Sequence, residues 1–154
     1  MDELRTATAS ESILTVFSPE AKQAAIDLFK ELVPKAKSHF LGGSSGMGLL
    51  AADIDVFALV DDIFETAERM EKAGWIAPGF HHYGNNKGFI PLRKGEVNVI
   101  LMDDAEDYEL TKRAFIVCKY LVHEGIHPTK EQRKVIHRIL RDEPVTFDNE
   151  AASI

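Results

Sequence analysis

The sequence predicts an α/β (α+β) domain in which a mixed or antiparallel sheet is flanked by helices. Two observations lead to this prediction. Apolar runs of strand length occur between stretches whose apolar residues recur at helical spacing, and turn-forming residues separate them. With 154 residues and 45% apolar content, the chain is long enough for one domain with a core of its own.

The first predicted element is an amphipathic helix. Residues 1–17 show no firm period and are predicted to be an N-terminal arm, the domain is predicted to cover 18–144, and 145–154 is predicted to be a tail. Ser18-Pro19-Glu20 has the composition of a helix start, because Ser caps exposed N–H groups, Pro suits the first helical position and Glu favours the positive end of the helix dipole. Apolar residues at helical spacing continue until Pro34.

Two strands and a second helix are predicted next. Segment 36–41 leads as a strand into a glycine-rich turn, and segment 53–60 forms the second strand. A single helix over 47–73 is the alternative, since several apolar residues there also fit a period near 3.6. The β-branched and aromatic residues of 53–60 favour the strand. Capping-box spacing of Asp62 and Glu65 then predicts a helix that Gly74 ends.

The second half is predicted to hold two strands and two helices. Segment 75–95 is rich in Gly, Asn, His and Pro and suits a hairpin or an irregular loop. Strands are predicted at 89–93 and 96–102, separated by Lys94-Gly95. A helix is predicted at 105–122, and the spacing of Thr129 and Gln132 predicts a last helix that Pro144 terminates.

Charge and cysteine content restrict the classes of function. There are 18 Lys and Arg against 25 Asp and Glu, and the net charge of −7 argues against broad nonspecific binding to nucleic acid. Bases concentrate in 128–141, so a local phosphate-binding face remains open there. Cys118 is the single cysteine, which excludes an intramolecular disulfide. No run has the length of a membrane span and the first residues lack signal-peptide character, which predicts a cytoplasmic protein with no membrane partner.

Two carboxylates follow the glycine-rich turn with one apolar residue between them. On a strand, side chains alternate, so Asp53 and Asp55 point to the same face. Their like charges repel each other and add little stability, but two oxygen ligands on one rigid strand can hold Mg²⁺. Backbone N–H groups of a glycine-rich turn can cradle phosphates that the same cation contacts. This pattern predicts a site for metal and nucleotide.

Gly43-Ser44, followed by Asp53-Ile54-Asp55-Val56, resembles the signature of the nucleotidyltransferase superfamily (DNA polymerase β-like), with a gap slightly shorter than usual. Segment 96–101 and the helix start at Lys130 resemble later parts of small stand-alone members, some of them encoded by bacteriophages. The resemblance implies a Mg²⁺-dependent transferase, with up to two ions, that binds a nucleoside triphosphate such as ATP. It also implies nucleotidyl transfer to a hydroxyl of RNA (tRNA included), of a protein or of a small molecule.

The resemblance also implies roles for individual residues. Asp53 and Asp55 would be catalytic metal ligands, and a third ligand would come from the neighbouring strand, where Asn98 and Glu96 are the candidates. Asn98 is neutral and a weaker ligand than a carboxylate. The nucleotide-binding candidates are the following: Gly43, Ser44, Ser45, Lys130 and Arg133. A solvated basic helix face is the alternative for the last two.

Two further functions stay open. Without a third carboxylate, the chain would be a catalytically weak relative that acts as a binding or inhibitory module toward a nucleotide, RNA or a protein. The same glycine stretch also resembles the cofactor turn of short-chain dehydrogenases, and Tyr83 and Lys87 copy the Tyr-x-x-x-Lys spacing of those NAD(P)-dependent reductases. Gly84-Asn85-Asn86 is poor helix material, however, and the chain is short for a full dinucleotide-binding sheet.

Overall fold

The computed structural model describes residues 14–82 and 87–141. Its elements are, in order, α1 (Pro19–Leu32), β1 (Ser38–Gly42), the short helix α2 (Gly43–Gly46), β2 (Ile54–Leu59), α3 (Ile63–Lys72), β3 (Ile90–Lys94), β4 (Val97–Met102), α4 (Ala105–His123) and α5 (Lys130–Leu140). A sheet flanked by helices confirms the predicted α/β fold class.

The four strands form one mixed sheet in the order β1-β2-β4-β3. β1 pairs with β2 and β3 with β4 in antiparallel fashion, while the central pair β2–β4 is parallel. A parallel pair needs a long crossover connection, and α3 together with the chain through β3 supplies it. The dinucleotide-binding fold of the reductase alternative has a mostly parallel sheet, whereas this sheet has one parallel pair in the described residues.

The two faces of the sheet bury different sets of side chains. Ile54, Val56 and Ala58 of β2 enter the larger core, which includes residues of α1 and α3 such as Phe29 and Ile63. The opposite face carries a smaller cluster, in which Leu59, Ile100 and Met102 pack with Tyr108 of α4. α5 packs mainly on α4. The odd-numbered residues of β2 therefore face α4.

Side-chain caps confirm three of the predicted helix starts. Ser18 accepts a hydrogen bond of 3.1 Å from the backbone N–H of Ala21. The Asp62 carboxylate accepts from two first-turn N–H groups of α3. Thr129 and Gln132 form a complete capping box. Pro144, the predicted terminator of α5, lies outside the described residues.

The structure corrects two sequence predictions. The single-helix alternative over 47–73 is wrong, because β2 occupies the middle of that range. The turn after β3 also lies one residue later than predicted, so that Gly95 and Glu96, rather than Lys94 and Gly95, connect the strands. Gly95 has φ +61°, and a tight hairpin turn requires such a left-handed residue at its first central position. Glycine's freedom thus fixes where β3 ends.

The chain ends are described only in part. Of the predicted N-terminal arm, Thr15 pairs with Ala51 in an isolated antiparallel bridge, and Phe17 is buried. Residues 1–13 of that arm and the predicted tail 145–154 lie outside the described residues, as does Tyr83. None of the described helices is long and apolar enough to cross a membrane.

Candidate functional site

Four residues align in one row across the sheet. Gly42 of β1 is the register partner of Asp55 on β2, Asp55 is the partner of Asn98 on β4, and Asn98 is the partner of Arg93 on β3. Asp53 lies immediately before β2. The row places carboxylates, an amide and a guanidinium close together at one end of the sheet, directly beside the glycine-rich turn.

Each carboxylate contacts a different partner in this row. Nδ2 of Asn98 donates a hydrogen bond of 3.1 Å to Oδ1 of Asp55. A guanidinium nitrogen of Arg93 lies 2.9 Å from Oδ2 of Asp53, as a hydrogen-bonded ion pair. The Asp53 side chain is 22% exposed and that of Arg93 52%. Solvent reaches the site from the Arg93 side.

The Asp55 carboxyl is strongly perturbed. Burial raises its pKa to about 7, and the charge of Asp53 and a hydrogen bond with that residue add to the rise. The hydrogen bond from Asn98 and the positive charge of Arg93 oppose it. A further positive charge near this carboxyl would stabilise its ionised form and lower its pKa. Perturbed carboxyl groups of this kind are typical of functional sites.

The glycine-rich turn lies directly against the Asp55 carboxylate. Gly43 has φ +62°, and a β-carbon built on it would overlap Oδ2 of Asp55. Only glycine combines this backbone conformation with so close an approach. Gly43 is the first residue of the short helix α2, and Ser44 and Ser45 are the next two.

The two serines of the turn differ in environment. Ser45 is 1% exposed. Its hydroxyl donates to the carbonyl of Gly42 and accepts from the N–H of Asp55, both at 3.3 Å. Ser45 thereby ties the turn to β2 and its hydroxyl is used within the protein. Ser44 is half-buried and better placed to meet a ligand. The nucleotide-binding role of both residues stays a prediction.

The structure separates the two candidates for the third metal ligand. Asn98 lies in β4 and touches Asp55, whereas Glu96 belongs to the turn before β4 and is exposed. The backbone carbonyl of Glu96 accepts from the N–H of Ile54, so only its main chain is fixed next to β2. Among the described residues, no group of three or more His, Cys, Asp or Glu is placed to hold a metal ion. The carboxylates of the site therefore number two, Asp53 and Asp55.

Lys130 and Arg133 lie in the first turns of α5, away from the row. Arg133 donates to the carbonyl of Pro128 at 3.1 Å, and Lys130 is exposed. Within residues 14–82 and 87–141, no hydrogen bond or ion pair joins either base to the two carboxylates. Their proposed contact with a triphosphate or RNA stays a prediction.

Sequence analysis missed Arg93. The signal that would have revealed it is the hairpin register, because a turn at Gly95-Glu96 makes Arg93 the direct partner of Asn98, which is itself the partner of Asp55. Chemically, the arrangement offers two oxygen donors for a hard cation and one guanidinium able to bind an anion.

Comparison with known proteins supports the fold. No family model matches the sequence, and no curated protein matches it. Among solved structures, Cid1, a poly(U) polymerase of the nucleotidyltransferase superfamily in complex with its short product ApU, aligns with a TM-score of 0.51 and 14% identity over 71% of this chain and 38% of Cid1. Cid1 with the UTP analog UMPNPP gives a TM-score of 0.47 and 16% identity over 70% of this chain and 35% of Cid1.

A third similar structure is the conserved protein GrpB from Enterococcus faecalis, with a TM-score of 0.49 and 19% identity over 84% of this chain and 96% of GrpB. At sequence identities this low, the comparison shows similarity of fold and nothing about activity. The chain has a nucleotidyltransferase-like fold, and the described part is similar to little more than a third of Cid1.

Proposed function

We propose that this chain binds a nucleoside triphosphate with Mg²⁺ at the row of polar residues beside the glycine-rich turn. The observation that carries the proposal is the placement of Asp53 and Asp55 next to Gly43, whose backbone touches the Asp55 carboxylate. The two candidate cation ligands therefore adjoin the backbone that we propose to bind phosphate. The nucleotidyltransferase-like fold supports the same function.

The residues present fit one divalent cation. Asp53 and Asp55 supply carboxylate oxygens, the donor type that Mg²⁺ prefers, and burial, followed by the neighbouring charge of Asp53, raises the pKa of Asp55. When bound, the cation would neutralise these carboxylates and the phosphate oxygens. A third ligand to the cation would come from the amide oxygen of Asn98 or from the exposed carboxylate of Glu96.

The chain's own groups would hold the remainder of the nucleotide. Backbone N–H groups of Gly43, Ser44 and Ser45, together with the Ser44 hydroxyl, would bind phosphate oxygens. Lys130 and Arg133 would add positive charge only if the bound nucleotide or an RNA extends as far as α5. The acceptor classes for nucleotidyl transfer are RNA, including tRNA, a protein and a small molecule. The ApU bound to Cid1 supports RNA among these.

A second candidate function is binding without transfer. Asn98 is the register partner of Asp55 on the neighbouring strand, and this amide already donates to the Asp55 carboxylate. We take Asn98 as the counterpart of the third carboxylate in the superfamily pattern. An amide is a weaker ligand than a carboxylate, which favours a nucleotide-, RNA- or protein-binding module with little turnover. In this case the protein binds the nucleotide but transfers its nucleotidyl group slowly or not at all.

Incubation with Mg²⁺, each α-labelled nucleoside triphosphate and an acceptor hydroxyl, such as that of a short RNA, tests both candidates, because transfer moves the label to the acceptor and releases pyrophosphate. The wild type is compared with an Asp53→Asn, Asp55→Asn double variant. The matched control is Asp61→Asn, Asp103→Asn, which removes two exposed carboxylates that follow the carboxyl ends of β2 and β4, at the end of the sheet away from the site. Labelling lost in the first variant and kept in the control supports transfer. Binding without labelling supports the module. Equal labelling or equal binding by all three proteins contradicts the assignment of Asp53 and Asp55.

A further inference from the structure

Arg93 reaches the carboxylates from the edge of the described sheet. Its backbone N–H donates to the carbonyl of Ile76 and its carbonyl accepts from the N–H of the same residue, both at 2.9 Å. Across β3–β4 it is paired with Asn98. Its two backbone hydrogen bonds are thus made to Ile76, the pairing of β3 with β4 holds its other side, and its half-exposed side chain reaches Asp53. The guanidinium takes no part in the hydrogen bonds of the sheet, which use the backbone of Arg93.

The charge of Arg93 bears directly on a cation at this site. At a pH above the pKa of Asp55 the two carboxylates carry two negative charges, and the guanidinium at 2.9 Å from Asp53 reduces this total by one. A carboxylate in an ion pair offers fewer free lone pairs to a metal. A free divalent ion must therefore compete with Arg93 for Asp53 and meets a positive charge beside the site.

We propose that Arg93 is a resident counter-ion of the site: it pairs with Asp53 in the nucleotide-free protein and, when a triphosphate arrives with its cation, leaves that carboxylate for the phosphates. The second half rests on the proposed function. Guanidinium is well suited to such an exchange, because its planar set of donors matches carboxylate and phosphate oxygens equally well. The protein would then bind a free divalent ion poorly and bind it well only with nucleotide.

Mn²⁺ binding without nucleotide tests the first half, with free Mn²⁺ measured by electron paramagnetic resonance. Arg93→Met removes the guanidinium and keeps an unbranched side chain. Lys94→Met is the matched control: it removes the same charge from the next residue of β3, whose ammonium contacts the carbonyl of Ala73. We expect Arg93→Met to bind Mn²⁺ roughly fivefold more tightly than wild type and Lys94→Met to stay within about twofold. Equal affinities of the two variants would overturn the counter-ion role.

Arg93→Lys separates charge from geometry. A point charge on a flexible stem keeps the electrostatic competition but loses the planar fork, so Arg93→Lys is expected to bind free Mn²⁺ as weakly as wild type. Affinity as high as that of Arg93→Met would contradict a role for the positive charge. Circular dichroism of each variant confirms that the fold is kept, which the backbone pairing of Arg93 favours.

Equilibrium binding of each ribonucleoside triphosphate with Mn²⁺ tests the second half. Arg93→Met is expected to lose roughly fivefold in nucleotide affinity relative to Lys94→Met, although it binds the free ion more tightly. No loss would overturn the phosphate contact. If the wild type binds no triphosphate at all, the proposed function and the phosphate contact fail together, and the measurements on free Mn²⁺ still decide the counter-ion role.

Discussion

Asn98 donates a hydrogen bond of 3.1 Å to Asp55, its register partner on the neighbouring strand. This contact has two effects. It provides a neutral donor for an acid whose pKa burial has raised, and it takes up an oxygen that would otherwise be free for a cation. Asn98 therefore stabilises the ionised form of Asp55 and leaves this carboxylate less free to contact another group.

Replacing this amide by a carboxylate should lower the stability of the metal-free protein and raise its affinity for a divalent cation. Without metal, Asn98→Asp is expected to lower the free energy of unfolding by about 2 kcal/mol near pH 8, because it removes a donor and adds a like charge next to Asp55. Mn²⁺ affinity should rise roughly tenfold. Urea denaturation with and without Mn²⁺ measures both. Asn98→Ala is the control, since it removes the donor without adding charge, and equal Mn²⁺ affinity of the two variants would contradict the role of position 98.

The raised pKa of Asp55 predicts how stability depends on pH. Between the unfolded value of 3.8 and the folded value of about 7, the native protein holds a proton that the unfolded chain has lost. The stabilisation from this group is therefore complete below the lower value and is lost as the pH rises through the upper one. Asp55→Asn should abolish this loss. We expect the variant to exceed wild type by about 3 kcal/mol near pH 8 and to match it near pH 4.

Urea denaturation at both pH values checks this expectation. The control is Asp61→Asn, an exposed acid whose carboxylate pairs with Lys37. A gain for Asp55→Asn that is the same at both pH values would show that charge on this residue is not the cause. Saturating Mg²⁺ should stabilise the wild type near pH 8 and leave Asp55→Asn nearly unchanged.

Two glycines in left-handed conformations allow the close approach at Asp55 to be measured. Gly43 and Gly48 have φ +62° and +77°, but a β-carbon on Gly43 would overlap the Asp55 carboxylate, whereas one on Gly48 would meet nothing within 4 Å. In both alanine variants the free energy of unfolding should fall by about 1 kcal/mol, because alanine is less stable than glycine in a left-handed conformation. Gly43→Ala should lose about 2 kcal/mol more and bind nucleotide poorly. Equal losses in thermal unfolding would contradict the proposed packing.

Much of the fold could be predicted from local chemistry. The caps at Ser18, Asp62 and Thr129 fixed three helix starts, since their side-chain oxygens satisfy N–H groups within a few residues. The strand character of segment 53–60 was also local, because β-branched and aromatic residues suit a half-buried pleated surface. The nucleotidyltransferase-like fold was implied by the resemblance of Gly43-Ser44 and the two following acids to the signature of that superfamily.

The composition of the site could be predicted only in part, because it depends on pairing between strands distant in sequence. Asp53, Asp55 and the glycine turn were identified from one short stretch. The row that joins Asp55, Asn98 and Arg93 requires the order β2-β4-β3 and the register of the hairpin. With the turn placed one residue early, Arg93 would oppose Glu96. A turn predicted one residue too early thus concealed Arg93, the one cation of residues 14–82 and 87–141 that forms an ion pair with a candidate metal ligand.

The packing of α5 depends on one buried ion pair. The Arg141 guanidinium contacts the Asp107 carboxylate of α4, with side chains 10% and 3% exposed, and also donates to the Thr111 hydroxyl at 2.6 Å. Arg141→Met would leave a buried charge without its partner, at a cost of about 3 kcal/mol. Lys134→Met, which breaks the exposed pair with Glu131, should cost less than about 0.5 kcal/mol. Similar costs in urea denaturation would contradict the structural role of Arg141.

The two serines of the turn separate ligand binding from architecture. The buried Ser45 hydroxyl accepts from the N–H of Asp55, so Ser45→Ala leaves this group without its hydrogen-bond partner and should cost about 1 to 3 kcal/mol of stability. Ser44→Ala should leave the free energy of unfolding nearly unchanged and weaken nucleotide binding roughly fivefold, because its half-buried hydroxyl is proposed to meet phosphate. Thermal unfolding and equilibrium nucleotide binding are measured on both variants. A stability loss in Ser44→Ala without a change in affinity would assign that residue to the architecture as well, and the phosphate contact would then rest on backbone N–H groups alone.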